Sequence, residues 1–226
     1  MKIDILTIFP ELFASFIDNG IVFRAREKKL LEINLHNIRS FTTDKHHQVD
    51  DYPFGGGAGM VMKPEPLYEA ITSVLGEDKA PVVYFTPQGR LLNQDIISRY
   101  KDKERIIFLC GHYKEIDQRI RDMLVTDEIS IGDYVLSGGE VPAMVMIDAV
   151  SRLIDGVIGD IESAMTDSHQ RGLLGTPHYT RPAKFMDREV PDVLISGNHA
   201  EIDKWRQMKA RELTMTRRPD LYYGKS

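Results

Sequence analysis

No run in this chain approaches the roughly 18 apolar residues that a membrane span requires, so a membrane partner is not expected. The opening residues MKIDILTIFPELF carry an acid at Asp4 and a proline at Pro10, which do not suit a secretory signal. Cysteine occurs once, at Cys110, which excludes an internal disulfide and fits a reducing cytoplasm. Cys110 ends the apolar run RIIFLC and therefore reads as a small buried hydrophobe rather than a nucleophile. Two nucleotide signatures are also missing. G-x-x-x-x-G-K-[ST] does not occur, which argues against a P-loop NTPase, and no G-x-G-x-x-G opens a helix after the first strand. The adjacent His46 and His47 in DKHHQVDD match no metal-ligand spacing, so no metal site is read from them.

What is present is globular. The 42% hydrophobic content can fill a core, and 226 residues suit one large domain or a domain with an appendage. The net charge of −5 is unevenly spread. Residues 168–226 hold 11 Lys and Arg against 7 Asp and Glu, whereas residues 1–167 hold 18 against 27. A basic C-terminal segment on an acidic chain points to an anionic partner, although a solvated helical face has the same composition.

Short apolar runs alternate with amphipathic segments through the first 155 residues. KIDILTIF, LEINLHNI, PVVYFTP, RIIFLCG and TDEISIG read as strands. PELFASFIDNGIVFRAREKKL, PEPLYEAITSVLG, NQDIISRYKDK and EIDQRIRDML have helical spacing, with Pro64 and Pro66 suited to a first turn and Asn93 to a cap. VPAMVMIDAVSRLI reads as a buried apolar helix. This alternation predicts an α/β fold with a largely parallel, doubly wound sheet. After about Gly159 the pattern becomes polar and aperiodic, and then gives way to a basic amphipathic helix in HAEIDKWRQMKARELTMTRRPDLY, with Trp205, Met208 and Leu213 on its apolar side. The expected organisation is an α/β domain over 1–160, a flexible linker over 161–172 and a helical domain over 173–226.

Three loops follow predicted strands: Thr86–Arg90, Gly111–Asp117 and Ser130–Glu140. In open α/β sheets ligands sit beyond the carboxyl ends of strands, so these loops are expected to share one pocket. Backbone amides and apolar walls with few charges suit a neutral adenosyl group better than a triphosphate. FGGGAGMVM, residues 54–62, is glycine-dense without a phosphate-binding lysine and reads as a packed turn. Asp167, in the loop TDSH, is a candidate general base, although a plain loop aspartate is the default.

The motifs IFPELF, DDYPFGGGAGMVMKPEP, TPQGR, CGHYKEIDQRI, SIGDYVLSGGE, DSHQRGLL and PHYTRP occur in this order. Together they resemble the bacterial tRNA (guanine-N1)-methyltransferases of the SPOUT superfamily over nearly the whole chain. The resemblance implies a parallel sheet with a deep trefoil knot, a small helical C-terminal domain and a homodimer. It also implies methyl transfer from S-adenosylmethionine to N1 of the guanosine just 3′ of the anticodon (position 37). The family's cofactor-binding stretches fall on Tyr84, Thr86, Pro87, Gln88, Gly89, Gly111, Tyr113, Ile131, Gly132, Asp133, Tyr134, Val135, Leu136, Gly138 and Gly139. Its catalytic aspartate and arginine fall on Asp167, as general base, and Arg152, as stabiliser of charge at guanine O6. The alternative reading of Arg152 is a surface arginine on the helix that starts near Val141. The resemblance also associates Mg²⁺ with the family, without placing a site. Arg181, Lys184, Arg188, Lys204, Arg206, Lys209, Arg211, Arg217 and Arg218 become expected contacts to tRNA phosphates. The chain departs from the family pattern at Lys114-Glu115, where relatives often read Glu-Gly, and at Gly175, where many carry an aspartate. Another methyltransferase of this superfamily would share the pocket but lack the PHYTRP domain. A non-catalytic RNA binder would not need the glycine loops and Asp167.

Overall fold

The computed structural model describes residues 1–159, 167–170 and 172–223. The chain divides into two compact units, Met1–Gly159 and Asp160–Ser226. Residues 161–166 and 171 of the expected linker lie outside the described residues.

The strands of the first unit are β1 (Lys2–Thr7), β2 (Glu32–Asn37), β3 (Asp50–Asp51), β4 (Val61–Met62), β5 (Val82–Leu91), β6 (Arg105–Leu109), β7 (Glu115–Ile116) and β8 (Asp127–Ser130). Five of them form a wholly parallel sheet in the order β2-β1-β6-β5-β8. The inner strands are continuous runs of Ile, Val, Leu and Phe because helices cover both faces of such a sheet. On one face Ile3, Ile5, Val83, Phe85, Ile106 and Phe108 pack with α2 (Gly20–Glu27), α4 (Gln94–Tyr100) and α6 (Glu140–Ser151). On the other, Leu6, Val82, Tyr84, Ile107 and Leu109 pack with α3 (Pro64–Leu75) and α5 (Gln118–Leu124). A small second sheet, β3-β4-β7, joins the glycine-rich segment to the loop after β6.

Local signals set most boundaries. Asn93 Oδ1 accepts the Ile96 N–H at 3.0 Å and starts α4, while Pro64 and Pro66 occupy the first turn of α3. The long helix expected over Pro10–Leu30 is broken into a 3₁₀ turn (Pro10–Phe13), a single turn α1 (Ala14–Ile17) and α2, because Gly20 enters α2 at φ +66°. The helix expected over EIDQRIRDML starts only at Gln118. Glu115 and Ile116 instead extend alongside Val61 and Met62, and Asp117 caps α5 by accepting the Arg119 N–H at 2.9 Å. α6 is not buried all round: Val141 and Val145 are 53% and 44% exposed.

The second unit holds a hairpin of β9 (Lys184–Phe185) and β10 (Arg188–Glu189), then α7 (Asp192–Ile195), α8 (His199–Arg217) and α9 (Pro219–Tyr223). The inward stripe of α8 runs through Ile202, Trp205, Leu213 and Thr214. Met208, expected on that stripe, is 54% exposed, because it falls between the turns that face inward. Buried Thr214 is satisfied: its hydroxyl donates to Ala210 O and accepts the Leu174 N–H at 3.0 Å. Pro219 ends α8 by disfavouring the helical conformation at Arg218. Among the described residues no helix is long and apolar enough to cross a membrane.

Candidate functional site

β5, β6 and β8 are adjacent and parallel, so the segments leaving their carboxyl ends meet on one rim. There they enclose a cavity of about 170 Å³. β5 contributes Tyr84 to Pro87. Its register against β8 breaks between Phe85 and Arg90, so Thr86–Gly89 bow out of the ladder. Gly89 makes that excursion possible: a Cβ there would lie 2.4 Å from Ile129 N. The segment after β6 contributes Gly111 to Glu115, and the segment after β8 contributes Ile131, Gly132 and Tyr134 to Gly138. Tyr113 holds φ +63°, a left-handed conformation that costs a non-glycine residue energy and turns the chain sharply beside the cavity.

Two polar clusters hold this rim. In the first, Glu140 at the start of α6 accepts from the Thr7 hydroxyl at the end of β1 and lies 2.7 Å from His112 Nε2. Thr7 Oγ1 in turn accepts the Phe9 N–H at 2.9 Å, and Phe9 packs edge-on against His112 at 4.9 Å. Burial alone would raise the Glu140 carboxyl, but hydrogen bonds to His112 and Thr7 hold it below the usual range. This cluster ties β1, the β6 loop and α6 to the 131–138 segment, since Gly138 bridges to His112 and the Gly139 N–H donates to Gly111 O at 3.0 Å.

In the second cluster, buried Arg121 donates to both oxygens of Glu128 at 2.8 Å and to Gln88 Oε1 at 3.1 Å, and lies 3.4 Å from Glu115. Its guanidinium sits over the Tyr84 ring at 5.6 Å, and the Tyr84 hydroxyl donates to Glu115. Burial, followed by the Glu115 charge, drives the Tyr84 phenol far above its ordinary pKa, so it stays a neutral donor. The cavity floor is therefore a fixed aromatic ring held by a fixed carboxylate.

Of the residues expected to bind a cofactor, Tyr84, Thr86, Pro87, Gly111, Tyr113, Ile131, Gly132, Tyr134, Val135, Leu136 and Gly138 line this cavity together. Gln88 and Gly89 line a neighbouring depression with Arg90 and Val125–Glu128, and Asp133 and Gly139 are not in the lining. Gly139 packs instead against Cys110, where a Cβ would meet Cys110 Cα at 2.7 Å. Cys110 itself is fully buried, and burial, with the Glu140 charge, raises its thiol. Arg152 caps the C-terminus of α6, its N–H bonding Asp148 O at 3.2 Å. Asp167 opens a turn in the second unit, with its carbonyl accepting the Gln170 N–H at 3.4 Å. His112, Glu115, Ser130, Ser137 and Glu140 fall inside the loops expected to share a pocket, although sequence reasoning gives none of them a role, and Pro142 of the lining lies outside those loops. Lys114 and Glu115 are the cation and the carboxylate of the lining.

The lining mixes apolar side chains with polar ones and exposed backbone, and it carries few charges. That donor set fits an adenosyl group and does not fit a polyphosphate. The sequence matches the model of the tRNA (Guanine-1)-methyltransferase TrmD family over residues 1–224. The chain belongs to this family. It is 55% identical over 224 residues to the tRNA (guanine-N(1)-)-methyltransferase of a Dehalococcoides mccartyi strain, covering 98% of this chain and 90% of the relative. It is 54% identical over 224 residues to that of Moorella thermoacetica, with the same two coverages. To that of Clostridioides difficile it is 51% identical over 225 residues, covering 98% of this chain and 97% of the relative. Metal ligation is a separate matter. Among the described residues no group of three or more His, Cys, Asp or Glu is placed to hold a metal ion.

Proposed function

We propose that this chain transfers a methyl group from S-adenosylmethionine to N1 of guanosine in tRNA, at the position just 3′ of the anticodon. The observation that carries the reading is the convergence of three strand-end segments on one backbone-lined cavity with few charges, in a chain of this family. S-adenosylmethionine supplies an electrophilic methyl on its sulfonium. Gly111, Ile131–Gly132 and Tyr134–Gly138 would hold its adenosyl part, and Glu115 offers a carboxylate for a cationic group.

Guanine N1 carries a proton and is a poor nucleophile until that proton leaves. Asp167 takes the proton as general base, a role worth about 10²–10⁴-fold. The N1–C bond forms as the sulfonium C–S bond breaks, and S-adenosylhomocysteine leaves. Arg152 stabilises the negative charge that shifts toward O6. No step is assigned to Mg²⁺. The segment 131–139 runs from edge strand β8 back to β6, where Gly138 and Gly139 bond to His112 and Gly111. That crossing supports a knotted first domain. The exposed Val141 and Val145 of α6 support a homodimer, and the excess of Lys and Arg over residues 168–226 supports phosphate contacts to tRNA. The proposed location is the cytoplasm.

The test is transfer of labelled methyl to unmodified tRNA transcripts carrying guanosine or adenosine 3′ of the anticodon. Guanosine-dependent transfer that drops at least 100-fold in Asp167→Ala is the expected result. Transfer indifferent to that nucleotide would refute the substrate, and undiminished transfer in Asp167→Ala would remove the base.

A further inference from the structure

The second unit contains a cavity of its own that none of the proposed chemistry uses. It measures about 410 Å³ and lies between the segment Thr176–Arg181 and the inward face of α8. Tyr179, Trp205, the imidazole of His178 and two guanidinium-bearing residues are among its lining. Tyr179 is half exposed, and its ring centroid lies 6.4 Å from that of Trp205 at a tilt of 57°. Arg181 and Arg206 are exposed on the rim, Arg206 with its helical neighbour Asp203 at 3.6 Å. Leu194, Ile195 and Ile202 close the apolar side. Lys184 and Arg188, on the hairpin that follows Arg181, add exposed positive charge nearby.

An aromatic wall beside paired arginines is what single-stranded nucleic acid requires. Bases stack on the rings in a sequence-tolerant way, and phosphates pair with the guanidiniums. An inorganic anion would use the arginines and leave the rings idle. We propose that this cavity is an RNA subsite that takes one unpaired nucleotide, its base against Tyr179 and Trp205 and its phosphate on Arg181 and Arg206. The inference rests on the reading that the chain acts on tRNA, and gives its second unit a defined contact in place of diffuse charge attraction.

Trp205 is the single tryptophan of the chain, so its emission reports on this cavity alone. Full-length protein titrated with an unmodified tRNA transcript should show saturable quenching. Polyphosphate and polyglutamate, which bring charge without bases, should leave the emission nearly unchanged. Tyr179→Ala should raise KM for tRNA about tenfold while kcat and KM for S-adenosylmethionine hold, and Tyr179→Phe should retain wild-type values. Arg181→Gln should reduce the salt slope of tRNA binding by about one charge. Equal quenching by the baseless polyanions, or wild-type KM in Tyr179→Ala, would overturn the subsite while leaving methylation intact. Base-dependent quenching in a protein that methylates no tRNA would support the subsite and sink the activity.

Discussion

At Gly138 a missing side chain decides whether two others can meet. A Cβ there would lie 2.2 Å from His112 Nε2 and 2.6 Å from Glu140 Oε2. The imidazole has no room to yield, because Phe9 packs on it and Glu140 holds it. Gly138→Ala must therefore push His112 from the carboxylate and leave buried Glu140 with Thr7 alone. Overpacking of this kind costs about 1–3 kcal/mol, a Tm loss of roughly 2–10 °C for a chain of this size. S-adenosylmethionine affinity, read by calorimetry, should fall at least tenfold, since His112 and Gly138 are both in the lining. Wild-type affinity in this variant would show that the pair does not shape the cavity. The glycines of SIGDYVLSGGE were legible as a close-approach loop. Their neighbour was not: Gly138 and Gly139 are small to fit His112 and Cys110, as well as any ligand. Residues 7, 112 and 140 are far apart in sequence, and no spacing rule joins them.

Among the elements, the parallel strands were legible because a sheet covered on both faces writes itself as continuous Ile, Val and Phe runs. What failed were places where backbone pairing overrode side-chain pattern. Glu115 and Ile116 pair with Val61 and Met62 although their spacing suits a helix, and β5 continues past Pro87 through an excursion that only Gly89 permits. α6 exposes the most consequential mismatch. Pro142, Ala143, Met146, Ile147 and Val150 are buried, yet Val141 and Val145 on the same helix remain exposed. Leu12, on the 3₁₀ turn that packs against α6, is 54% exposed as well. An apolar helix with a bare side is stable in water when a partner covers it. If the partner is a second copy, Val145→Glu buries a charge in that interface and should shift the protein from dimer to monomer in sedimentation equilibrium at micromolar concentration. A variant that remains dimeric would move the interface elsewhere.

At the scale of the whole molecule, the strand order β2-β1-β6-β5-β8 is not written in periodicity, because it depends on which distant runs pair. One buried carboxylate reports on that pairing. Asp4 in β1 takes bonds from Arg105 Nε of β6 at 2.8 Å and from Asn34 of β2 at 3.2 Å, and lies 2.9 Å from His36 of β2. Arg105 also reaches Leu75 O in α3 and Asp78 just beyond that helix. Burial alone would raise the Asp4 carboxyl, but His36, Arg105 and Asn34 together depress it to about 2, from an ordinary value of 3.8. A carboxyl depressed in the folded state stabilises above its unfolded pKa, and that stability drains away as pH falls through the folded value. For Asp4 the window lies between about pH 4 and pH 2, and the amount is about 2 kcal/mol. Wild-type urea midpoints should therefore fall steeply across that window. Asp4→Asn should be less stable at pH 7, because Arg105 loses a buried partner, and its decline from pH 4 to 2 should be shallower by about one proton. Parallel pH profiles for the two proteins would mean that the three strands are held together by their apolar faces alone.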